Sequence, residues 1–181
     1  MTDTAGAEPQ VHDAWLGLGS NLGDRGLNLA RAIEGIGHAG ETVGVSGVFE
    51  SAPVGYTHQP VFWNMAVRLR TPLDPHTLLH NLKALEAGLG RVPTFRMGPR
   101  IIDIDILMYD DVQCADPVLT LPHSGLLERA FVLLPLLELD PELRHPATGQ
   151  RLADVAAGVD ATGTRRIGGR ALLSRAGRSP A

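Results

Sequence analysis

The sequence predicts an α+β fold in which an antiparallel sheet is backed by helices. Three observations carry this expectation. Two segments, Thr42–Phe49 and Val61–Arg70, alternate apolar and polar residues with the period of a strand. Two others, entered through Asp24 and Asp74, carry leucine, isoleucine and alanine at helical spacing. A third pattern, Ile102-Asp103-Ile104-Asp105-Ile106, is strict alternation over β-branched residues and reads as a further strand.

The elements follow in order. Met1–Gln10 is polar and acidic with no apolar targeting core, and residues 1–12 read as a loose leader. Ala14–Gly19 is the first strand. Gly17-Leu18-Gly19-Ser20-Asn21 lacks both the Gly-Lys-Ser/Thr and the full Gly-x-Gly-x-x-Gly patterns, so it reads as a tight strand-to-helix turn, not a phosphate loop. Asp24 caps a helix marked by Leu27, Leu29, Ala30, Ile33 and Ile36, and Gly37 stops it. After the weak strand Thr42–Phe49, Pro53, Gly55 and Pro60 make Glu50–Pro60 a loop.

In Val61–Arg70, Val61, Trp63, Met65, Val67 and Leu69 share one face. Phe62, Asn64, Ala66, Arg68 and Arg70 share the other. Phe62 beside Asn64 either packs under another element or forms a stacking surface next to an amide. Asp74 and Pro75 open the second helix, striped by Leu78, Leu79, Leu82, Leu85 and Leu89. Glu86 falls inside that stripe; it needs a partner there or reaches to solvent from the edge, the commoner case. Gly90–Arg100 is a second loop with Arg91, Arg96 and Arg100. It is either a solvated basic loop or a clamp for phosphate.

Asp103 and Asp105 share one face of their strand, roughly 7 Å apart. Ile102, Ile104 and Ile106 point the other way. Paired carboxylates repel, and a hard cation such as Mg²⁺ relieves them when phosphate supplies its remaining ligands. The alternative is two solvated aspartates. Asp110 and Asp111 are turn residues. His123, after Leu121-Pro122, is either a helix-entry residue or faces a polyphosphate. The apolar segment after it, through Leu137, is helical and bent or restarted at Pro135. From Thr162 onward the chain reads as a flexible tail. The order β, α, β, β, α, β is a ferredoxin-like arrangement.

The 181 residues suit one domain, 13–160, between flexible termini at 1–12 and 162–181. Net charge is −4, which argues against nucleic acid as a partner. Cys114 is the only cysteine, excluding an intrachain disulfide and a cysteine-based zinc site. No apolar run is long enough to span a membrane. The expectation is a cytoplasmic, monomeric protein.

Several motifs in order resemble one family: the 6-hydroxymethyl-7,8-dihydropterin pyrophosphokinases of folate biosynthesis. They are Gly17-Leu18-Gly19-Ser20-Asn21-Leu22, the stretch Ser51–Asn64, Arg96-x-Gly98-Pro99-Arg100-x-x-Asp103-Ile104-Asp105-Ile106-Leu107, and Leu121-Pro122-His123 with Arg129-x-Phe131. The resemblance implies transfer of the terminal diphosphate of ATP to the pterin hydroxymethyl oxygen, releasing AMP. It implies Asp103 and Asp105 as ligands of two Mg²⁺ ions, with Arg100 and Arg91 beside them in catalysis. It implies Phe62 and Phe131 as rings sandwiching the pterin, with Asn64, Ser51, Ala52 and Val54 completing its pocket. Glu86, Arg91, Arg100, His123 and Arg129 fall on ATP positions, and Leu79, Ile106 and Thr120 on others near the nucleotide. The two loops are expected to close over the substrates.

The chain departs from the family's usual pattern at Phe62, where many relatives carry Tyr, and at Met97, where Trp is frequent. Pro93 stands near a second arginine position in a loop one residue short. Lys83 and Ser124 replace Gln and Tyr found near the nucleotide in some relatives. Two rival readings use the same residues differently. Another two-metal nucleotidyl-transfer enzyme needs the Asp pair but not Phe62, Asn64 and Phe131. A non-catalytic small-molecule regulatory module leaves the Asp pair and the arginine loop without work.

Overall fold

A computed structural model describes residues 10–175. Its elements are β1 (His12–Ser20), α1 (Arg25–Ile36), β2 (Glu41–Val45), β3 (Val48–Ser51), β4 (Phe62–Thr71), α2 (Pro75–Gly88), β5 (Asp103–Tyr109), β6 (Cys114–Ala115), β7 (Thr120–Leu121), α3 (Ala130–Leu139), α4 (Leu152–Gly158) and β8 (Thr164–Gly168). A 3-10 helix, Arg170–Arg175, ends the described chain. The main sheet runs β5-β1-β4-β3-β8, with β2 also paired to β4, and its neighbours are antiparallel. Among the described residues, no helix is long and apolar enough to cross a membrane.

The sheet is the middle of three layers. Leu16, Leu18, Met65, Val67, Leu69, Ile104 and Ile106 pack with Leu29, Ile33 and Ile36 of α1 and Leu78 and Leu82 of α2. The opposite face carries Trp15, Ala66, Leu107 and Met108 under Leu133 and Leu136 of α3 and Leu152 of α4. Each wholly buried leucine or isoleucine contributes about 1.5–3 kcal/mol, so both faces are strongly committed. The predicted caps are present. Asp24 accepts from the Leu27 amide at 3.0 Å. Asp74 accepts from the His76 and Thr77 amides, with Pro75 at the first helical position. Losing such a cap costs about 1 kcal/mol.

Four expectations change. Gly17 and Gly19 lie in the first strand as expected, but β1 runs on through Ser20, so the turn begins only at Asn21. The expected strand Thr42–Phe49 is two strands, β2 and β3, broken at Ser46-Gly47. There the Ser46 hydroxyl donates to the Gly47 carbonyl and accepts from the Ala66 amide, while the Gly47 amide donates to Glu138 at 2.6 Å. The Ser46 amide still donates to the Ala66 carbonyl at 3.0 Å, and side-chain bonds supply the rest of the pairing at the break. The segment is helical as expected, but α3 does not restart at Pro135, beside which Leu133 and Leu136 are fully buried.

The largest change concerns the expected tail from Thr162. Thr164–Gly168 is β8, paired with β3 from Val48↔Gly168 to Ser51↔Thr164. Arg165 reaches Glu50 at 2.6 Å, and Arg166 reaches Glu138, which also holds Gly47. Ion pairing and a backbone ladder, not an apolar stripe, put this segment on the sheet. Residues 1–9 of the expected leader and 176–181 of the expected tail lie outside the described residues, and His12 already begins β1.

Candidate active site

A cleft of about 310 Å³ opens on the α3 side of the sheet. Its floor follows from register. Gly19 of β1 lies opposite Asn64 on β4 and opposite Asp103 on β5, and Gly17 lies between Ala66 and Asp105 in the same way. Two strand spacings therefore separate the Asn64 row from the acid row, about 10 Å. A side chain at Gly19 would fill the gap: its Cβ would stand 3.4 Å from Asn64 Oδ1 and 3.8 Å from the Phe62 ring. The glycine pair thus keeps a flat floor between an aromatic bank and an acidic bank.

On the aromatic bank, Ser51, Ala52, Val54, Phe62, Asn64 and Phe131 all line the cleft. Phe62 and Asn64 come from β4, and Phe131 from the first turn of α3. Asn64 is 6% exposed, and its Nδ2 donates to the Ser51 hydroxyl at 2.9 Å. That bond aims Oδ1 over Gly19 as an acceptor. The Ala52 amide donates to the Gly163 carbonyl at 3.2 Å, so the segment just before β8 braces this wall.

On the acidic bank, Asp103 and Asp105 face the cleft while Ile102, Ile104 and Ile106 are buried behind them. Arg91 and Arg100 each place an Nη1 against Asp103, at 2.5 and 2.6 Å. Asp105 is more open, with the Lys83 ammonium at 3.5 Å. Glu86 is 3% exposed and does not line the cleft. It holds Arg91 at 2.6 Å and Lys83 at 2.9 Å, and it accepts the Ile104 amide of β5 at 2.6 Å. The partner a stripe glutamate requires is therefore a pair of cations plus the acid strand itself. Burial works against the charge of Arg91, but Asp103 and Glu86 outweigh it and hold its pKa above the ordinary arginine value.

His123 and Arg129 close the far end of the cleft. The Gly125 amide donates to His123 Nδ1 at 3.0 Å, and the Arg129 guanidinium lies 6.0 Å from the centre of the Phe131 ring. Five of the residues expected at ATP or near the nucleotide stay outside the lining: Glu86 and Arg91, which reach it through Asp103, and three others. Ile106 is 2% exposed in the core, Leu79 packs against that core, and Thr120 is exposed on β7. Arg96 and Met97 do line the cleft, from the loop before β5.

Sequence reasoning missed the residues that hold the two loops. Asn21, 2% exposed, accepts from the Arg100 amide at 2.8 Å and donates to Gln59 Oε1 and the Pro60 carbonyl. Gln59 in turn donates to the carbonyls of Tyr56 and Met97. Tyr56 meets Phe95 edge-on at 5.1 Å. Asn21 carried a signal, an amide directly after a strand, whereas Gln59 carried none. Neither pairing is local in sequence.

The carboxylate pair tests well as a hard-cation site. Asp105 presents oxygen to an open cleft, whereas both oxygens of Asp103 are engaged by Arg91 and Arg100, which would have to turn to the phosphates that complete the coordination. An acid pair ringed by arginine and set across a flat floor from two aromatic rings defines a phosphoryl-transfer class of enzyme with a flat acceptor.

Comparison narrows this class. The family model for 7,8-dihydro-6-hydroxymethylpterin-pyrophosphokinase (HPPK) matches residues 15–141, and the chain belongs to that family. A 2-amino-4-hydroxy-6-hydroxymethyldihydropteridine pyrophosphokinase of Methylorubrum extorquens is 45% identical over 159 residues, covering 85% of this chain and 98% of the relative. The folic acid synthesis protein fol1 of Schizosaccharomyces pombe is 40% identical over 158 residues, covering 84% of this chain, which spans only 21% of that protein. Among solved structures, HPPK-DHPS of Plasmodium falciparum with pterin and p-hydrobenzoate superposes with a TM-score of 0.69 at 17% identity. That match covers 88% of this chain and 48% of the other, a likeness of fold.

Proposed function

We infer that this chain transfers the terminal diphosphate of ATP to the hydroxymethyl oxygen of 6-hydroxymethyl-7,8-dihydropterin, releasing AMP, a cytoplasmic step of folate synthesis. The observation that carries the reading is the cleft's division. Asp103 and Asp105 stand on one bank, and Phe62, Asn64 and Phe131 on the other, across Gly19 and Gly17. Membership of the family supports it. The strand order β5-β1-β4-β3 with α1 and α2 on one face supports a ferredoxin-like core, with α3, α4 and β8 as C-terminal additions. The domain we read as 13–160 is braced at its edge by β8.

In this reading Asp103 and Asp105 would hold two Mg²⁺ ions, with phosphate oxygens supplying the remaining ligands. When bound, Mg²⁺ neutralises the triphosphate and orients it for in-line displacement. Phe62 and Phe131 stack on the two faces of the pterin. Asn64 Oδ1 accepts from the pterin's N–H edge, its amide nitrogen being occupied by Ser51. That clamp brings the hydroxymethyl oxygen toward the β-phosphorus. A new O–P bond forms there as the hydroxyl proton passes to water and the Pβ–O bridge to the α-phosphate breaks, and AMP leaves with the bridging oxygen. Arg91 and Arg100 are freed from Asp103 to meet the charge growing on the transferred group, and His123 and Arg129 hold phosphate from the α3 side. Glu86 acts through Arg91, as a positioning residue. Leu79, Ile106 and Thr120 shape the nucleotide region from behind the lining.

The test is to incubate the protein with ATP, Mg²⁺ and the hydroxymethyl dihydropterin and identify the nucleotide product. AMP formed only when pterin is present is the expected result. ADP, cyclic AMP or no turnover by folded protein overturns the reading.

A further inference from the structure

We propose that Lys83 is a built-in counter-ion of Asp105 that discourages metal binding until nucleotide arrives. The proposal rests on the reading of Asp103 and Asp105 as metal ligands. Six charged groups form one connected cluster on α2, β5 and the loop between them. Arg91 and Arg100 meet Asp103, Arg91 and Lys83 meet Glu86, and Lys83 stands 3.5 Å from Asp105. Three cations face three carboxylates, so their formal charges cancel.

Lys83 is no wandering surface lysine. Its ammonium donates to Glu86 Oε1 and to the Ile104 carbonyl, both at 2.9 Å. Glu86 is itself fixed by the Ile104 amide and Arg91. The lysine is therefore tied directly to the strand that bears Asp105 through Ile104, and to Glu86 of its own helix, with its remaining donor free for that carboxylate.

The consequence is electrostatic. A divalent ion alone brings positive charge to a cluster already balanced by three tethered cations. A triphosphate meets the same neutral cluster with the further cations Arg96 and Arg129 beside it in the cleft, and so is not opposed in the same way. Two divalent ions and one triphosphate together bring about no net charge. The balanced cluster thus gives a lone divalent ion no net attraction and admits it with nucleotide, and Lys83 is the cation that sets this balance at Asp105. Removing it leaves an uncompensated carboxylate and strengthens nucleotide-free metal binding by about tenfold, the size of one charge at contact in a half-exposed site.

The experiment titrates nucleotide-free full-length protein with Mn²⁺ and follows the free-ion signal by electron paramagnetic resonance. Lys83→Met is expected to bind Mn²⁺ about tenfold tighter than the wild type, and Lys83→Arg, which keeps the charge, within about twofold of it. Lys83→Gln is measured alongside, with melting curves, so that a misfolded Met variant does not decide the outcome. Unchanged or weaker Mn²⁺ binding in folded Lys83→Met or Lys83→Gln overturns the proposal. Asp105→Asn separates the two layers. If it weakens Mn²⁺ binding while the lysine variants gain nothing, the role of Lys83 alone is wrong. If it leaves Mn²⁺ binding unchanged, the metal-ligand reading fails and the proposal with it.

Discussion

The two banks of the cleft are held by different physics. The aromatic bank stands on backbone. Phe62, Asn64 and Ser51 sit on strands paired through β1, β4, β3 and β8, and their positions follow from the ladder. The arginine loop, by contrast, is placed by side chains. Asn21 and Gln59 tie it to the neighbouring loop, Glu86 and Asp103 anchor Arg91, and Val92 and Phe95 are more than half exposed. A ladder opens only with the sheet, whereas ion pairs and single hydrogen bonds can exchange partners one at a time. The strand-borne part of the aromatic bank, Ser51, Phe62 and Asn64, is thus rigid, and the arginine loop beside the acid strand is able to trade its carboxylate partners for phosphate.

The contrast can be broken most strongly at the acid strand. Asp103→Ala and Asp105→Ala should each lower turnover by about a thousandfold or more while circular dichroism shows a folded protein. Near-normal turnover in either variant would falsify the metal assignment. Next in size, Phe131→Ala removes the ring that α3 contributes to the aromatic bank. Pterin affinity should fall about tenfold, with ATP affinity held within a factor of about two, both measured by calorimetry. An equal loss for the two ligands would mean that the banks do not divide the substrates as described.

The smallest effect tests the brace on the aromatic bank's outer edge. Arg165, through its hydrogen bond, is the main cause holding the Glu50 carboxyl below its ordinary value of 4.5. A depressed carboxylate stabilises the fold above its unfolded pKa and loses that contribution as pH falls through the folded value. Glu50→Gln should therefore reduce stability at pH 7 by less than about 1 kcal/mol, since the pair is largely at the surface. The difference in melting temperature from the wild type should shrink to nothing well below pH 4. A difference that persists into acid would show that Glu50 acts through packing and not through its charge.

Much of the rigid core was legible because its signals are local. Period-two alternation announced β5 and β4, and Asp74 followed by Pro75 announced α2. What stayed hidden depends on partners far along the chain. Thr164-Arg165-Arg166-Ile167-Gly168 has no apolar stripe, being an edge strand whose arginines need Glu50 and Glu138. The need for glycine at positions 17 and 19 of β1 stayed hidden because nothing local says that Asn64 and Leu107 will need the space beside them.

By itself the sequence determined the two-sided strand at Asp103–Asp105, the capped helices and, through motifs in order, the family and its candidate residues. Tertiary structure alone decided how those residues divide the work. Register set Gly19 between Asn64 and Asp103, and burial turned Glu86 from a possible surface carboxylate into the anchor of Lys83 and Arg91. The reason is physical. Periodicity and capping are encoded within a few residues, but a buried charge acquires its meaning only from the counter-charges that folding brings to it.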